Sequence, residues 1–153
     1  MLKPPAVIFL KQLLDTPGPS GYESAAARVW RDEAKTFADE VHADVHGNSM
    51  AVVNATGGPT IMLAGHIDEI GVIVTYIDDD GFVYIAPIGG WDPQVLVAQR
   101  IRFQGRDGEV LGAVGKKPIH LMKPDEREKA SKMTDLWVDI GATTRAQAEA
   151  VLS

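Results

Sequence analysis

The 153-residue sequence contains no cysteine. That excludes disulfides, thiolate metal sites and cysteine nucleophiles, and it fits a reducing cytoplasm. No run approaches the roughly 20 apolar residues needed to span a bilayer. The apolar stretch Ala6 to Leu10 is interrupted by Lys11 and Gln12, and no small-residue cleavage pattern follows it, so no signal peptide is expected. Basic residues are in the minority. Against 21 acidic residues stand 15 Lys and Arg, a formal charge of −6. With no basic run interleaved with aromatics, binding to nucleic acid or an anionic membrane is not expected. Nucleophile-elbow, P-loop and dinucleotide-binding fingerprints are absent too. What remains, 45% hydrophobic and 24% charged, is the composition of a soluble globular protein, here placed in the cytoplasm.

The pattern along the chain changes once. Val7, Leu10, Leu13 and Leu14 stand at helical spacing, and Thr16-Pro17-Gly18-Pro19 breaks that helix. Ser20 followed by Glu23 has the form of a capping box, predicting a second helix to about Phe37 with Ala26, Val29, Trp30 and Phe37 near one face. Val41, Ala43 and Val45 then alternate, His46-Gly47-Asn48 turns, and Met50 to Asn54 returns. Thr60 to Ala64 is apolar enough for a buried strand. Further strands are predicted at Gly71 to Ile77, Phe82 to Ala86, Ile101 to Gln104, Val110 to Val114 and Leu136 to Ile140, with Asp80-Gly81 and Asp107-Gly108 in tight turns. Gly89-Gly90-Trp91-Asp92-Pro93 reads as a turn with a packed tryptophan. Thr143 to Leu152 reads as a threonine-capped helix, and the charged stretch Lys116 to Asp135 as a solvated loop. The fold class is α/β, more strictly α+β over these residues, with a change to mostly β near residues 68–76.

The most suggestive chemistry lies in Gly65-His66-Ile67-Asp68-Glu69-Ile70-Gly71, after the apolar run. An imidazole suits zinc or cobalt, and a carboxylate two residues on can accept from the other ring nitrogen and fix the tautomer. His-x-Asp alone has a second reading, a histidine capping a strand end beside a solvated aspartate, and the bare motif favours it. His42 and His46 sit on a strand and its turn, where i and i+4 are not neighbours, and His120 reads as structural.

Taken in order, several segments resemble one family. They are Thr16-Pro17-Gly18-Pro19-Ser20-Gly21-Tyr22-Glu23, Asp44 with Gly47-Asn48, Ala64 to Gly71, Ile88-Gly89-Gly90-Trp91-Asp92, Gln99-Arg100, Gly115 to His120 and Asp139-Ile140-Gly141-Ala142. The set resembles the glutamyl and deblocking aminopeptidases that assemble as tetrahedral dodecamers, some of which carry the label cellulase or endoglucanase. The resemblance runs from about Leu13 to Glu149. It implies the start of a zinc-peptidase-like α/β catalytic domain over residues 1–70, then most of an inserted β-rich, barrel-like dimerisation domain over residues 71–153. It implies a metallo-aminopeptidase, a hydrolase acting on the N-termini of peptide substrates with two divalent ions, zinc or cobalt. His66 would ligate one metal, and Asp68 would be the catalytic-site carboxylate that orients His66 and tunes that metal. The family's bridging aspartate, further carboxylates, second histidine and glutamate base follow the inserted domain, and its members are roughly twice as long as this chain. The expectation is an N-terminal fragment, inactive alone, with at most one weak metal site and a tendency to homo-oligomerise, from dimer to dodecamer. The family's Lys-Pro-Pro-His stands here as Lys117-Pro118-Ile119-His120. Two other readings are a non-catalytic assembly module and, third, an endoglucanase.

Overall fold

A computed structural model describes residues 4–152. The chain divides into two compact units, one up to Ile70 and one from Gly71.

The first unit holds helices α1 (Pro4–Asp15) and α2 (Ser24–Ala34) and a hairpin of β1 (Glu40–Ala43) and β2 (Ser49–Val52). Pro4 and Pro5 open α1, where a missing N–H costs nothing because first-turn amides have no intrahelical acceptor. The predicted apolar stripe on α1 is corrected. Val7, Leu10 and Leu14 are exposed, and the half-buried residues are Phe9 and Leu13, one helical turn apart. Helix α2 starts and stops inside its predicted limits. It buries Ala26, Ala27 and Ala34. Beyond it the Thr36 hydroxyl donates to the Glu33 carbonyl at 2.7 Å and Phe37 N–H turns back to Ala34 O, leaving Phe37 exposed. Small alanines on the buried side let α2 lie close to its neighbours.

The hairpin pairs Glu40 with Val52 through Ala43 with Ser49. Its turn is organised by Asp44, whose Oδ1 accepts from the amides of His46 (2.9 Å) and Asn48 (3.0 Å) while Oδ2 accepts from Asn48 Nδ2 at 2.8 Å. Those donors, Asn48 foremost, hold the Asp44 carboxyl below its ordinary value. Gly47 takes φ +89°, a conformation that side chains resist. The Asp44, Gly47 and Asn48 of the family-like motif are thus turn chemistry, with His46 exposed at the tip.

The run Thr60 to Ala64 does not form the predicted strand. Ile61, Met62 and Leu63 are 79%, 85% and 95% exposed. A strand exists through its ladder with a neighbour, and among the described residues none pairs with this segment.

The second unit is a five-stranded antiparallel sheet in the order β3-β4-β7-β6-β5, built from β3 (Gly71–Ile77), β4 (Val83–Ile88), β5 (Arg100–Gly105), β6 (Gly108–Lys116) and β7 (Leu136–Asp139). Strand β7 enters last in sequence and lies at the centre, between β4 and β6. Its Leu136 and Val138 are fully buried, as is Val83 of β4. The approach of β7 to β6 is close enough that a Cβ on Gly112 would sit 2.4 Å from Val138 Cγ1, so glycine is required there. The turn after β3 uses Asp78 Oδ1 as acceptor for the amides of Asp80 and Phe82, with Gly81 at φ +88°. The short helix α3 (Pro93–Leu96) is capped by Asp92 and buries Leu96. Trp91 packs against the core and donates Nε1–H to Gly71 O at 2.7 Å, holding the turn before α3 to the start of β3.

The charged stretch before β7 is more ordered than a solvated loop. It contains helix α4 (Pro124–Arg127), where Glu126 accepts from the Lys123 amide at 2.7 Å and pairs with Lys117 at 2.9 Å. Finally, α5 (Arg145–Leu152) buries Ala148 against the sheet. The Thr144 hydroxyl accepts from Gln147 N–H near its start. Arg145 joins Asp79 (3.1 Å) and the Tyr76 hydroxyl (2.9 Å) and lies 4.9 Å from the Tyr76 ring centroid.

Because Leu136 is fully buried on the central strand, its truncation leaves a cavity that the flanking strands cannot collapse into. Leu136→Ala is expected to cost about 2–5 kcal/mol, seen as a lower urea midpoint. A change within error would show that β7 is not the core of the sheet.

Candidate metal-ligand site

His66 and Asp68 lie in an irregular segment, so their order must come from somewhere other than a helix or strand. It comes from the loop that joins α1 to α2. Glu69 N–H donates to Gly18 O at 2.9 Å and Ser20 N–H donates to Glu69 O at 3.2 Å, forming an isolated parallel bridge between Pro19 and Glu69. The Glu69 side chain adds a third bond, accepting from Gly18 N–H at 3.1 Å. Gly18 is buried, and a Cβ on it would stand 3.2 Å from Ala26 Cβ on α2. The Pro-Gly-Pro sequence that ends α1 therefore also supplies a straight edge to which the His66–Glu69 segment is tied.

On this anchored segment the two predicted residues meet. His66 Nδ1 stands 2.8 Å from Asp68 Oδ1 and 3.1 Å from the Asp68 carbonyl. With a carboxylate as its near partner, the neutral ring favours its proton on Nδ1, which leaves the lone pair on Nε2. The His66 side chain is 84% exposed, so Nε2 is open to a ligand. The other oxygen, Asp68 Oδ2, accepts from the Ser20 hydroxyl at 2.5 Å. The Ser20 bond and then the His66 bond hold the Asp68 carboxyl below its ordinary range.

Ser20 is not the helix cap that its sequence position suggests. Helix α2 is capped by Glu23, with no side-chain cap bond, and Glu23 Oε1 accepts instead from Gly21 N–H at 2.6 Å. The Ser20 hydroxyl points 48 residues along the chain, a use that no local pattern could have signalled. His42 lies exposed on β1, His46 on the hairpin tip, and His120 exposed in a single 3₁₀ turn, Ile119–Leu121.

Imidazole nitrogen with its second nitrogen committed to a carboxylate is a fitting donor for one divalent ion. Among the described residues no group of three or more His, Asp or Glu lies close enough to hold an ion. A firmly held catalytic ion takes three protein ligands, and the described residues bring no such set together.

Sequence comparison is decisive on kinship. The profile of the M42 glutamyl aminopeptidase family matches residues 47–152. The chain belongs to that family. It is 40% identical over 144 residues to the lysyl aminopeptidase of Pyrococcus furiosus, covering 92% of this chain and 41% of the relative. Among solved structures it resembles the TET aminopeptidase of a marine sediment archaeon, Thaumarchaeota archaeon SCGC AB-539-E09. That match has a TM-score of 0.90 and 36% identity, covering 95% of this chain and 41% of the other. It also resembles the TET1 peptidase of Pyrococcus horikoshii, described as assembling into a tetrahedron or a large octahedral shell, with a TM-score of 0.82 and 29% identity over 96% and 44% of the two chains. The chain thus spans about two fifths of the length of the relatives it matches. These likenesses bear out the mixed α/β fold class and the family resemblance.

The anchoring bridge yields a direct test. Glu69→Ala leaves the amide of buried Gly18 without its acceptor, at an expected cost of about 1–3 kcal/mol. Hydrogen exchange at Gly18 should quicken while the sheet of the second unit is unaffected. Unchanged protection at Gly18 would show that the carboxylate is not its partner.

Proposed function

We propose that this chain is part of a metal-dependent aminopeptidase that removes N-terminal residues from peptides, and that His66 and Asp68 are its contribution to a two-metal centre. The observation that carries the proposal is the His66–Asp68 pair, with Nδ1 held at 2.8 Å and Nε2 open, in a chain of the M42 family. His66 is the ligand. Asp68 holds the ring orientation and the tautomer and, as an anion, raises the basicity of Nε2. Zinc and cobalt suit this imidazole donor. Divalent ions bound in such a centre supply Lewis acidity toward the peptide carbonyl and a nucleophilic water at neutral pH. The remaining ligands and the general base come, in this reading, from protein outside these 153 residues. The first unit is then the start of the catalytic domain, and the second the dimerisation domain.

Among the described residues no helix is long and apolar enough to cross a membrane. We place the protein in the cytoplasm, as the lack of cysteine suggests.

Assembly is the second half of the proposal. Strands β3 and β5 form the two edges of the sheet, and Ile73 and Tyr76 of β3 are exposed. An unpaired edge with apolar side chains favours association with another chain, and the horikoshii relative is described as a shell-forming assembly. If assembly were the chain's whole role, it would be a non-catalytic module. The outward Nε2 of His66 favours the enzymatic reading.

With one imidazole ligand, the chain alone should release no amino acids from peptides above background when zinc or cobalt is supplied. Its zinc binding by calorimetry should be weak, and His66→Ala should reduce it by roughly tenfold or more. Chelator-sensitive turnover that survives His66→Ala would overturn the assignment.

For assembly, light scattering at micromolar concentration should report a dimer or larger species. A sharp monomer peak that persists on concentrating would remove the dimerisation role from the second unit.

A further inference from the structure

We infer that Ser20 is a positioning residue of the His66 site: its hydroxyl pins the Asp68 carboxylate so that the imidazole is held with Nδ1 protonated and Nε2 presented to a divalent cation. The inference rests on the metal-ligand reading of His66 and adds a third member to the pair.

A half-buried carboxylate on two rotatable bonds is a poor orienter by itself. Asp68 follows His66 by two residues in a segment without regular structure, and its side chain could turn its oxygens to water. Two donors on opposite oxygens prevent this. Imidazole Nδ1–H donates to Oδ1 at 2.8 Å, and the Ser20 hydroxyl donates to Oδ2. With both oxygens held, the carboxylate plane is defined, and so is the direction of the imidazole.

Ser20 itself is well placed to act as a fixed point. Its amide donates to Glu69 O, and Glu69 N–H donates to Gly18 O, so the residues flanking Asp68 and Ser20 are tied by the same bridge. The hydroxyl has no competing structural use, because α2 starts at Ser24 without a side-chain cap bond. A hydroxyl has one proton to donate. Here it goes to Asp68, and the resulting order is hydroxyl to carboxylate, imidazole to carboxylate, and a lone pair outward.

Which imidazole nitrogen carries the proton is set by the hydrogen bond that the other makes or lacks, so the tautomer of His66 reads out the role of Ser20 directly. Long-range nitrogen-15 NMR of the whole chain, at a pH where the imidazole is neutral, should show His66 with Nδ1 protonated. In Ser20→Ala the same ring should become a mixture containing the Nε2–H form. Its zinc affinity should fall by roughly tenfold, the loss typical when a ligand's orienting partner is disturbed. Ser20→Thr, which keeps the hydroxyl, should restore both. A purely structural serine would alter stability without moving the tautomer.

Should Ser20→Ala loosen the whole loop, seen as rapid exchange of the Glu69 amide, the folded Ser20→Thr protein still decides. Wild-type tautomer there supports the inference, and the alanine-like mixture overturns it. An unchanged tautomer in folded Ser20→Ala overturns it as well. A shifted tautomer with zinc binding unaltered upholds Ser20 as the positioning group and removes His66 as the ligand, which separates this inference from the functional reading beneath it.

Discussion

Two backbone hydrogen bonds, Glu69 to Gly18 and Ser20 to Glu69, are the constraint on which the candidate site depends. The segment from Gly58 to Ile70 has no helix and no strand ladder of its own, apart from the single bridge at Glu69. Side chains on such a segment would ordinarily sample many directions. Fixing a residue's backbone costs about 1–2 kcal/mol of conformational entropy, and one short bridge cannot offset that over many residues. Its ordering effect is confined to the residues nearest it. His66, Asp68 and Glu69 lie within that span, and Ile61 to Leu63 lie beyond it and stay exposed.

The bridge works because of what stands on its other side. Pro17 and Pro19 have fixed φ and offer no amide, so between Pro17 and Ser20 the backbone presents only the Gly18 and Ser20 donors. Both are used, Gly18 N–H by the Glu69 carboxylate and Ser20 N–H by the Glu69 carbonyl. Glycine at 18 also permits α2 to approach, since Ala26 Cβ would lie 3.2 Å from any added Cβ. The break between two helices is thus an ordered platform, and its proline content limits the alternatives open to it.

The second unit was legible in the sequence to a large degree, and the first much less so. Strands β3 to β7 were predicted because alternating apolar runs met Asp-Gly turns, which are local signals read over a few residues. Their order was not legible, since nothing local says that Leu136 and Val138, last in sequence, take the centre of the sheet. In the first unit, Ser20 with Glu23 has the form of a capping box, yet Glu23 serves the Gly21 amide and Ser20 serves Asp68. Thr60 to Ala64 carries the apolar content of a buried strand, but content without a neighbouring ladder makes no strand. His66 and Asp68 were legible because they are two residues apart. Ser20 was not, because its partner is 48 residues away.

The acid at position 68 follows from the donors around it. A carboxylate accepts at both oxygens and donates at neither. Imidazole Nδ1–H and the Ser20 hydroxyl each need an acceptor, and they approach different oxygens of the same group. An amide would offer one oxygen and one N–H₂, so it could accept from only one of the two donors through oxygen and would carry no negative charge. A glutamate has a further rotatable bond, so holding it with the same two hydrogen bonds would cost more conformational entropy. The same two donors favour the anionic form, holding the Asp68 carboxyl below its ordinary value, and in the proposed metal centre the anion would strengthen Nε2 as a donor. Geometry, tautomer and charge at this site are therefore consequences of one carboxylate held at both oxygens.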